Sequence, residues 1–367
     1  MDHFSKALIM TALPDRPLNV VVSGTTMWNP GDDFVREGVL AAIRATIGPR
    51  PLNLFFYNFS ANVMPPYGHT GDRGNDVSEN DLRELGDSCD LIVIAGLSAG
   101  REIEPLYRWI IDAGLTDRVV MVGAGYENEY VDAHCRTDPE ATVFRSAKLI
   151  VGRTAKVPDF VSSLGTRYEH LPCPSLLCVD DVKGPEPGAP VRRVGFSVQL
   201  PSDRGIVNQA TGPDAATLAF ETMQGLQGRC SRVLIAHHKT EYLEYLRVFR
   251  GTDVEVVFQS FWSDLEPVYR SLDGVITTRL HSGLFANAIG LPAVIINETD
   301  RHTHAVDSFP EASCVCSREE TEAAVEALFR ADLAATSDRL KVQKRSLLDR
   351  YKRVLSGPVL SIVERSD

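Results

Sequence analysis

Residues 272–297 read Leu-Asp-Gly-Val-Ile-Thr-Thr-Arg-Leu-His-Ser-Gly-Leu-Phe-Ala-Asn-Ala-Ile-Gly-Leu-Pro-Ala-Val-Ile-Ile-Asn. A short β-branched run ends near Thr278, and a helix starts within residues 279–283. Leu284, Phe285, Ala288 and Ile289 give that helix its apolar face. Gly290 is a fitting C-terminal stop, with Pro292 just beyond it. Residues 293–297 then return to a strand. Strand, helix and strand with short connections make the repeating unit of a parallel sheet covered by helices.

The same alternation extends outward from this unit. Residues 194–198, 233–237 and 254–258 read as earlier strands of one series, and Ser263-Asp264-Leu265-Glu266 reads as a capping box before Val268, Tyr269 and Leu272. From Glu319 onward the chain is rich in Ala, Glu, Leu, Arg and Lys and reads as helical. Upstream, residues 180–192 are Asp-Asp-Val-Lys-Gly-Pro-Glu-Pro-Gly-Ala-Pro-Val-Arg, which fits neither a helix interior nor a central strand and marks a linker. Before the linker, strands at 19–24, 52–57, 90–95, 119–123 and 149–152 alternate with helical patterns that include 34–47 and 103–113. The expected fold class is therefore α/β. Two Rossmann-like domains, residues 1–179 and 193–367 (the second with C-terminal helices), present parallel sheets to a central cleft. Ligands in such sheets bind at the strand C-terminal edges.

Composition bounds the function. The 367 residues, 44% hydrophobic and 24% charged, suit two ordinary domains. A net charge of -11 without a dense basic stripe argues against nucleic acid as a partner, so an anionic small substrate has to be captured by a few placed arginines. Seven cysteines, Cys89, Cys135, Cys173, Cys178, Cys230, Cys314 and Cys316, form no CxxC pair and read as reduced thiols, with Cys314 and Cys316 on one face of a short strand. Met1-Asp2-His3-Phe4-Ser5-Lys6 does not open a secretory signal, and no apolar run approaches the roughly 20 residues that span a bilayer. A cytoplasmic protein is expected, compatible at most with peripheral membrane contact.

Two segments carry candidate chemistry. Arg279, His281 and Ser282 lie where a strand hands over to a helix. Unpaired N–H groups there favour an anion, arginine adds a planar double donor, and histidine adds a proton that moves near neutrality. Trp28-Asn29-Pro30-Gly31-Asp32-Asp33 follows the first strand. Asp32 or Asp33 can cap the next helix; alternatively Asn29, Gly31 and Asp32 face the crevice and bind sugar hydroxyls, with Asp32 as general base. Arg153, after the strand at 149–152, is a further candidate anion contact. Gly96-Leu97-Ser98-Ala99-Gly100 follows another strand and can admit a ligand to the backbone. No G-x-G-x-x-G or G-x-x-x-x-G-K-[ST] fingerprint is present. His237 with His238, and His302 with His304, lack a third ligand, so neither a metal nor a cofactor is expected.

Asn29-Pro30-Gly31-Asp32 resembles the N-x-G-D element of the polysaccharide pyruvyl transferase family. Thr278-Arg279-Leu280-His281, followed by Phe285-Ala286 and Gly290-Leu291-Pro292, resembles its R-L-H…A…G-x-P element, and Val151-Gly152-Arg153 with Ser162 and Leu164-Gly165 is loosely similar to its mid-chain R-x-x-x-S…L-G region. The resemblance implies a fold like the GT-B glycosyltransferases. It also implies transfer of a pyruvyl group from phosphoenolpyruvate to a sugar or glycan acceptor, lipid-linked or free. Under it, Arg279, Arg153 and Ser282 hold the anionic donor, His281 is the acid or phosphate partner, and Asp32 with Asn29 and Gly31 serves the acceptor. The chain departs from the family pattern at Ala95-Gly96-Leu97-Ser98 (Gly-Gly-Gly), at Thr154 (an acid) and at Thr299-Asp300-Arg301-His302 (a lysine). Two other classes compete: a GT-B glycosyltransferase using a nucleotide sugar, and a non-catalytic sugar- or anion-binding relative.

Overall fold

A computed structural model describes residues 16–24, 30–58, 76–96, 103–125, 138–153, 159–182, 188–200, 213–259, 261–296, 309 and 311–365. Its strands form two sheets, all of them paired in parallel. The first holds β1 (Leu18–Gly24), β2 (Leu52–Asn58), β3 (Asp76–Val77), β4 (Leu91–Ala95), β5 (Val119–Ala124), β6 (Leu149–Gly152) and β7 (Tyr168–His170), in the spatial order β3-β2-β1-β4-β5-β6-β7. The second holds β8 (Arg193–Ser197), β9 (Ser231–Ala236), β10 (Glu255–Phe258), β11 (Gly274–Thr277), β12 (Ala293–Ile296) and β13 (Ala312–Val315), in the order β10-β9-β8-β11-β12-β13. Each sheet starts at its centre, grows to one side and then reverses. The reversals, between β1 and β4 and between β8 and β11, open crevices at the strand C-terminal ends.

The helices among the described residues are α1 (Pro30–Ile47), α2 (Glu79–Leu85), α3 (Glu104–Asp112), α4 (Asp138–Ser146), α5 (Asp159–Leu164), α6 (Pro213–Gly225), α7 (Lys239–Val248), α8 (Trp262–Arg270), α9 (Leu280–Ile289), α10 (Arg318–Arg330) and α11 (Leu333–Val363). None of them is long and apolar enough to cross a membrane. The central strands β4, β5, β6, β11 and β12 are buried along their whole length, which is why they read as unbroken apolar runs instead of alternating.

Helix α9 departs from the expected single apolar face: every one of its residues is buried. It packs on β11 and β12 on one side and meets α1 and the turn Pro174–Leu177 on the other. Small residues make that fit possible, since a β-carbon on Gly283 would stand 2.7 Å from Ile295 Cδ1. Gly290 ends the helix in the left-handed conformation at φ 101°, as its position implies.

One apolar cluster joins the two domains. It holds Phe34, Val39 and Ile43 of α1, Leu284, Phe285 and Ile289 of α9, and Leu355, Val359 and Ile362 of α11. Phe34 and Phe285 stack face to face at 4.0 Å, and Tyr269 meets Phe285 edge-on at 4.9 Å. Helix α11 leaves the second domain and packs along α1. There the Tyr351 hydroxyl donates to Pro172 O at 2.7 Å. Two further clusters fill the outer faces of the sheets.

Two local expectations are corrected. Helix α8 begins at Trp262 with Phe261 as its cap residue, and the Asp264 N–H donates to the Phe261 carbonyl at 3.1 Å. Ser263 therefore sits inside the first turn, and the Ser263–Glu266 capping box does not form, because Trp262 packs against the central core and draws the helix start forward. Cys314 lies in β13, whereas Cys316 falls just past its end.

Truncating Phe285 to alanine removes the centre of this seam. Urea unfolding should report a loss of about 3–5 kcal/mol, the cost of deleting a buried aromatic ring. Gly38→Ala should also lower the melting temperature, because the added β-carbon overlaps the backbone carbonyl of Pro174.

Candidate functional site

The segments that follow β6 and β11 come together across the domain boundary. Arg153 follows β6, and its N–H donates to Ala124 O at 2.9 Å. Its guanidinium occupies the space beside Gly125 that any side chain there would fill. From that position Nη1 donates to Nε2 of His281 at 2.8 Å, joining residues 128 apart in sequence and on opposite domains. Arginine has no acceptor, so Nε2 is unprotonated in this arrangement, and the proton of the neutral ring is on Nδ1. His281 is the second residue of α9 and only 7% exposed.

Arg279 is the N-cap residue of α9. Its backbone N–H donates to Thr277 Oγ1 at 2.8 Å. Its guanidinium pairs with Glu241, a carboxylate with no exposed surface. Glu241 also accepts the backbone N–H groups of His237 at 2.9 Å and His238 at 3.2 Å. The Nε of Arg279 is buried and has no partner among the described residues. Ser282 is committed inward, sharing a 2.6 Å hydrogen bond with the Tyr269 hydroxyl, which lies 3.4 Å from His237 Nε2. Burial, the nearby Arg279 charge and His238 together hold His237 well below its ordinary pKa of 6.5. Burial likewise raises the Tyr269 phenol, against a smaller opposing pull from its Ser282 bond.

The facing crevice is described in part. Gly31 is buried and Asp32 half-buried in the first turn of α1, while Asn29 lies outside the described residues. Outside them too are residues 97–100, Thr154 and residues 299–302 with His304. The neighbouring Asp33 is taken up by Arg36 at 3.0 Å, both 2% exposed. Arg36 also reaches Glu37 at 2.9 Å and lies 5.0 Å over the Phe56 ring. The hydroxyls of Ser23, near the end of β1, and Ser197, at the end of β8, are buried without partners among the described residues. An unmade bond of that kind costs about 1–3 kcal/mol. Both serines sit beside a topological reversal, where a ligand is expected.

The structure thus brings Arg153 and His281 into contact, places Arg279 two residues before His281, and turns Ser282 into the protein. Glu241, Tyr269 and His237 belong to the same cluster; Glu241 and Tyr269 were not singled out as site candidates from the sequence, and His237 was weighed there only as a metal ligand. The available signal was the spacing of Glu241 three residues after His238, the pattern of a cap with a carboxylate at the third helical position.

No family model matches the chain, and no curated protein does. Solved structures share its fold. A Thermobaculum terrenum O-GlcNAc transferase mutant superposes with a TM-score of 0.53 at 16% identity, over 96% of this chain and 68% of that one. A UDP-GlcNAc 2-epimerase from Neisseria meningitidis, bound to UDP-GlcNAc, gives 0.54 at 9% identity over 94% and 100%. The OtsA apo structure gives 0.54 at 15% over 93% and 99%. At such identities the likeness is one of fold, the two-domain GT-B-like α/β architecture.

A pH dependence follows from His237. Its folded-state pKa is depressed, so below pH 6.5 the unfolded chain binds a proton that the native chain refuses. Stability is full above that pH. It should fall by up to about 1.4 kcal/mol per pH unit as acidification proceeds toward the folded value. Denaturation midpoints measured from pH 7.5 to 5 should show this slope and should lose most of it in His237→Gln.

Proposed function

We propose that the protein transfers a pyruvyl group from phosphoenolpyruvate to two hydroxyls of a sugar, releasing inorganic phosphate. The observation that carries this reading is the 2.8 Å contact of Arg153 with His281 across the domain boundary. Both residues belong to elements that resemble the pyruvyl transferase family, Arg153 to the loosely similar mid-chain region and His281 to the R-L-H element, 128 residues apart.

The chemistry requires a proton at C3 of the enol, which becomes a methyl group, and an electron-poor C2 that takes two sugar oxygens as its bond to phosphate breaks. One hydroxyl proton balances the proton given to C3, and the other leaves with phosphate. In the unliganded arrangement Arg153 covers His281 Nε2. An anionic donor competes for the Arg153 guanidinium, because a charge-assisted bond to carboxylate or phosphate is stronger than one to a neutral imidazole. Donor binding then uncovers Nε2 of His281, which takes up a proton from water and delivers it to C3, the proton later lost from a sugar hydroxyl restoring the balance. The Nε of Arg279, without a partner among the described residues, and the first N–H groups of α9 take donor oxygens, and Asp32 at the start of α1 accepts the sugar proton.

The test has two parts. Phosphoenolpyruvate should raise the melting temperature by mass action, and Arg153→Ala should abolish the shift. Phosphate release should depend on the sugar acceptor and drop about a hundred- to ten-thousandfold in His281→Ala. Stabilisation by a uridine or guanosine diphosphate, with none by phosphoenolpyruvate, moves the protein to nucleotide-sugar transfer. Turnover unaffected by His281→Ala removes the acid role.

A further inference from the structure

We infer that Glu241 is a positioning residue: it tethers Arg279 across the end of β8, so that one edge of the guanidinium is fixed to the protein and Nε is left for an anionic ligand. This rests on the reading of Arg279 as a donor contact. The tether has a definite place in the fold. In the sheet order, β9 and β11 flank β8. Glu241 stands in the first turn of α7, which follows β9, and Arg279 caps α9, which follows β11. The pair therefore links the turns on either side of the central strand, directly at the reversal of strand order. Ser197, whose buried hydroxyl also has no partner among the described residues, ends that central strand.

Capping alone does not account for this arrangement. One carboxylate oxygen of Glu241 takes both backbone N–H groups of the β9–α7 turn, and the other goes to Arg279. A solvated cap would achieve the first task on the surface, as Glu320 does in the box formed with Ser317. Glu241 does it with no exposed surface. A carboxylate desolvated to that degree needs its cation, and the cation needs it. The guanidinium keeps one orientation through this mutual dependence. Its buried Nε, donor-only and unpartnered among the described residues, points to an acceptor oxygen supplied by a ligand.

A double-mutant cycle tests the tether. Glu241→Gln keeps the shape and one acceptor oxygen while removing the charge. It should cut phosphoenolpyruvate turnover about ten- to hundredfold through misplacement of the arginine. In an Arg279→Ala background the same change should cost less than about twofold, because a residue acting through another has nothing left to act on. An equal loss in both backgrounds means that Glu241 serves only the α7 cap, and overturns the proposal. A second readout needs no ligand. Arg279→Ala leaves a buried carboxylate without its cation, so adding Glu241→Gln should raise the melting temperature of that variant. A further fall instead overturns the tether. Absence of phosphoenolpyruvate turnover in the wild type overturns the pyruvyl reading alone, since the melting-temperature cycle is decided independently of the donor.

Discussion

The stacked pair Phe34–Phe285, 4.0 Å apart at the middle of the interdomain cluster, governs what the rest of the molecule can do. Helix α1 leaves the reversal point of the first sheet and helix α9 leaves that of the second. Packing the two helices against each other through Phe34, in the second turn of α1, and Phe285, at the middle of α9, fixes the relation of their starting turns. The starting turns are where Asp32, Arg279 and His281 reside. A protein whose domains touched only through a linker would have to find the 2.8 Å approach of Arg153 to His281 anew at each closure. Here the apolar seam holds the two sides in register. The interior rigidity expected of close packing is thereby passed on to polar groups at its rim.

The electrostatics follow a different logic from a positively charged basin. The chain carries a net charge of -11, and the arginines near the cleft are each matched locally. Arg36 is held by Asp33 and Glu37, Arg279 by Glu241, and Arg153 by a neutral imidazole nitrogen. Of the three, Arg153 is the one bound to an uncharged partner, and so the one that an anion would recruit at least cost. Long-range attraction contributes little in such a molecule. Recognition of an anion would depend on a small number of oriented donors, of which Arg279 is itself buried.

Much of this was legible in the sequence, for identifiable reasons. The strands are buried on both faces and so appear as apolar runs. Gly290 ends α9 where a left-handed residue is required. Arg279, His281 and Arg153 stand out because they interrupt apolar surroundings at strand ends. What could not be read depends on contacts between distant segments. Glu241 looks like one more acid on an amphipathic helix until α9 is seen to bring Arg279 over it. Ser282 looks like a ligand to an anion until Tyr269, thirteen residues earlier, is seen to claim its hydroxyl. The Ser263 cap failed for a similar reason, since the burial of Trp262 outweighed a local side-chain preference.

The return of α11 has a consequence for how the polypeptide comes into being. Leu355, Val359 and Ile362 share a core with β1, β4 and α1, and Tyr351 bonds to Pro172 across 179 residues. Domains made early in synthesis commonly complete their folding before later ones emerge from the ribosome. The first sheet can pair its strands in that order, yet one side of its core stays uncovered until α11 has been made. The nascent first domain must therefore carry an apolar flank through the whole translation of the second. Synthesis of the last helix is the event that seals both.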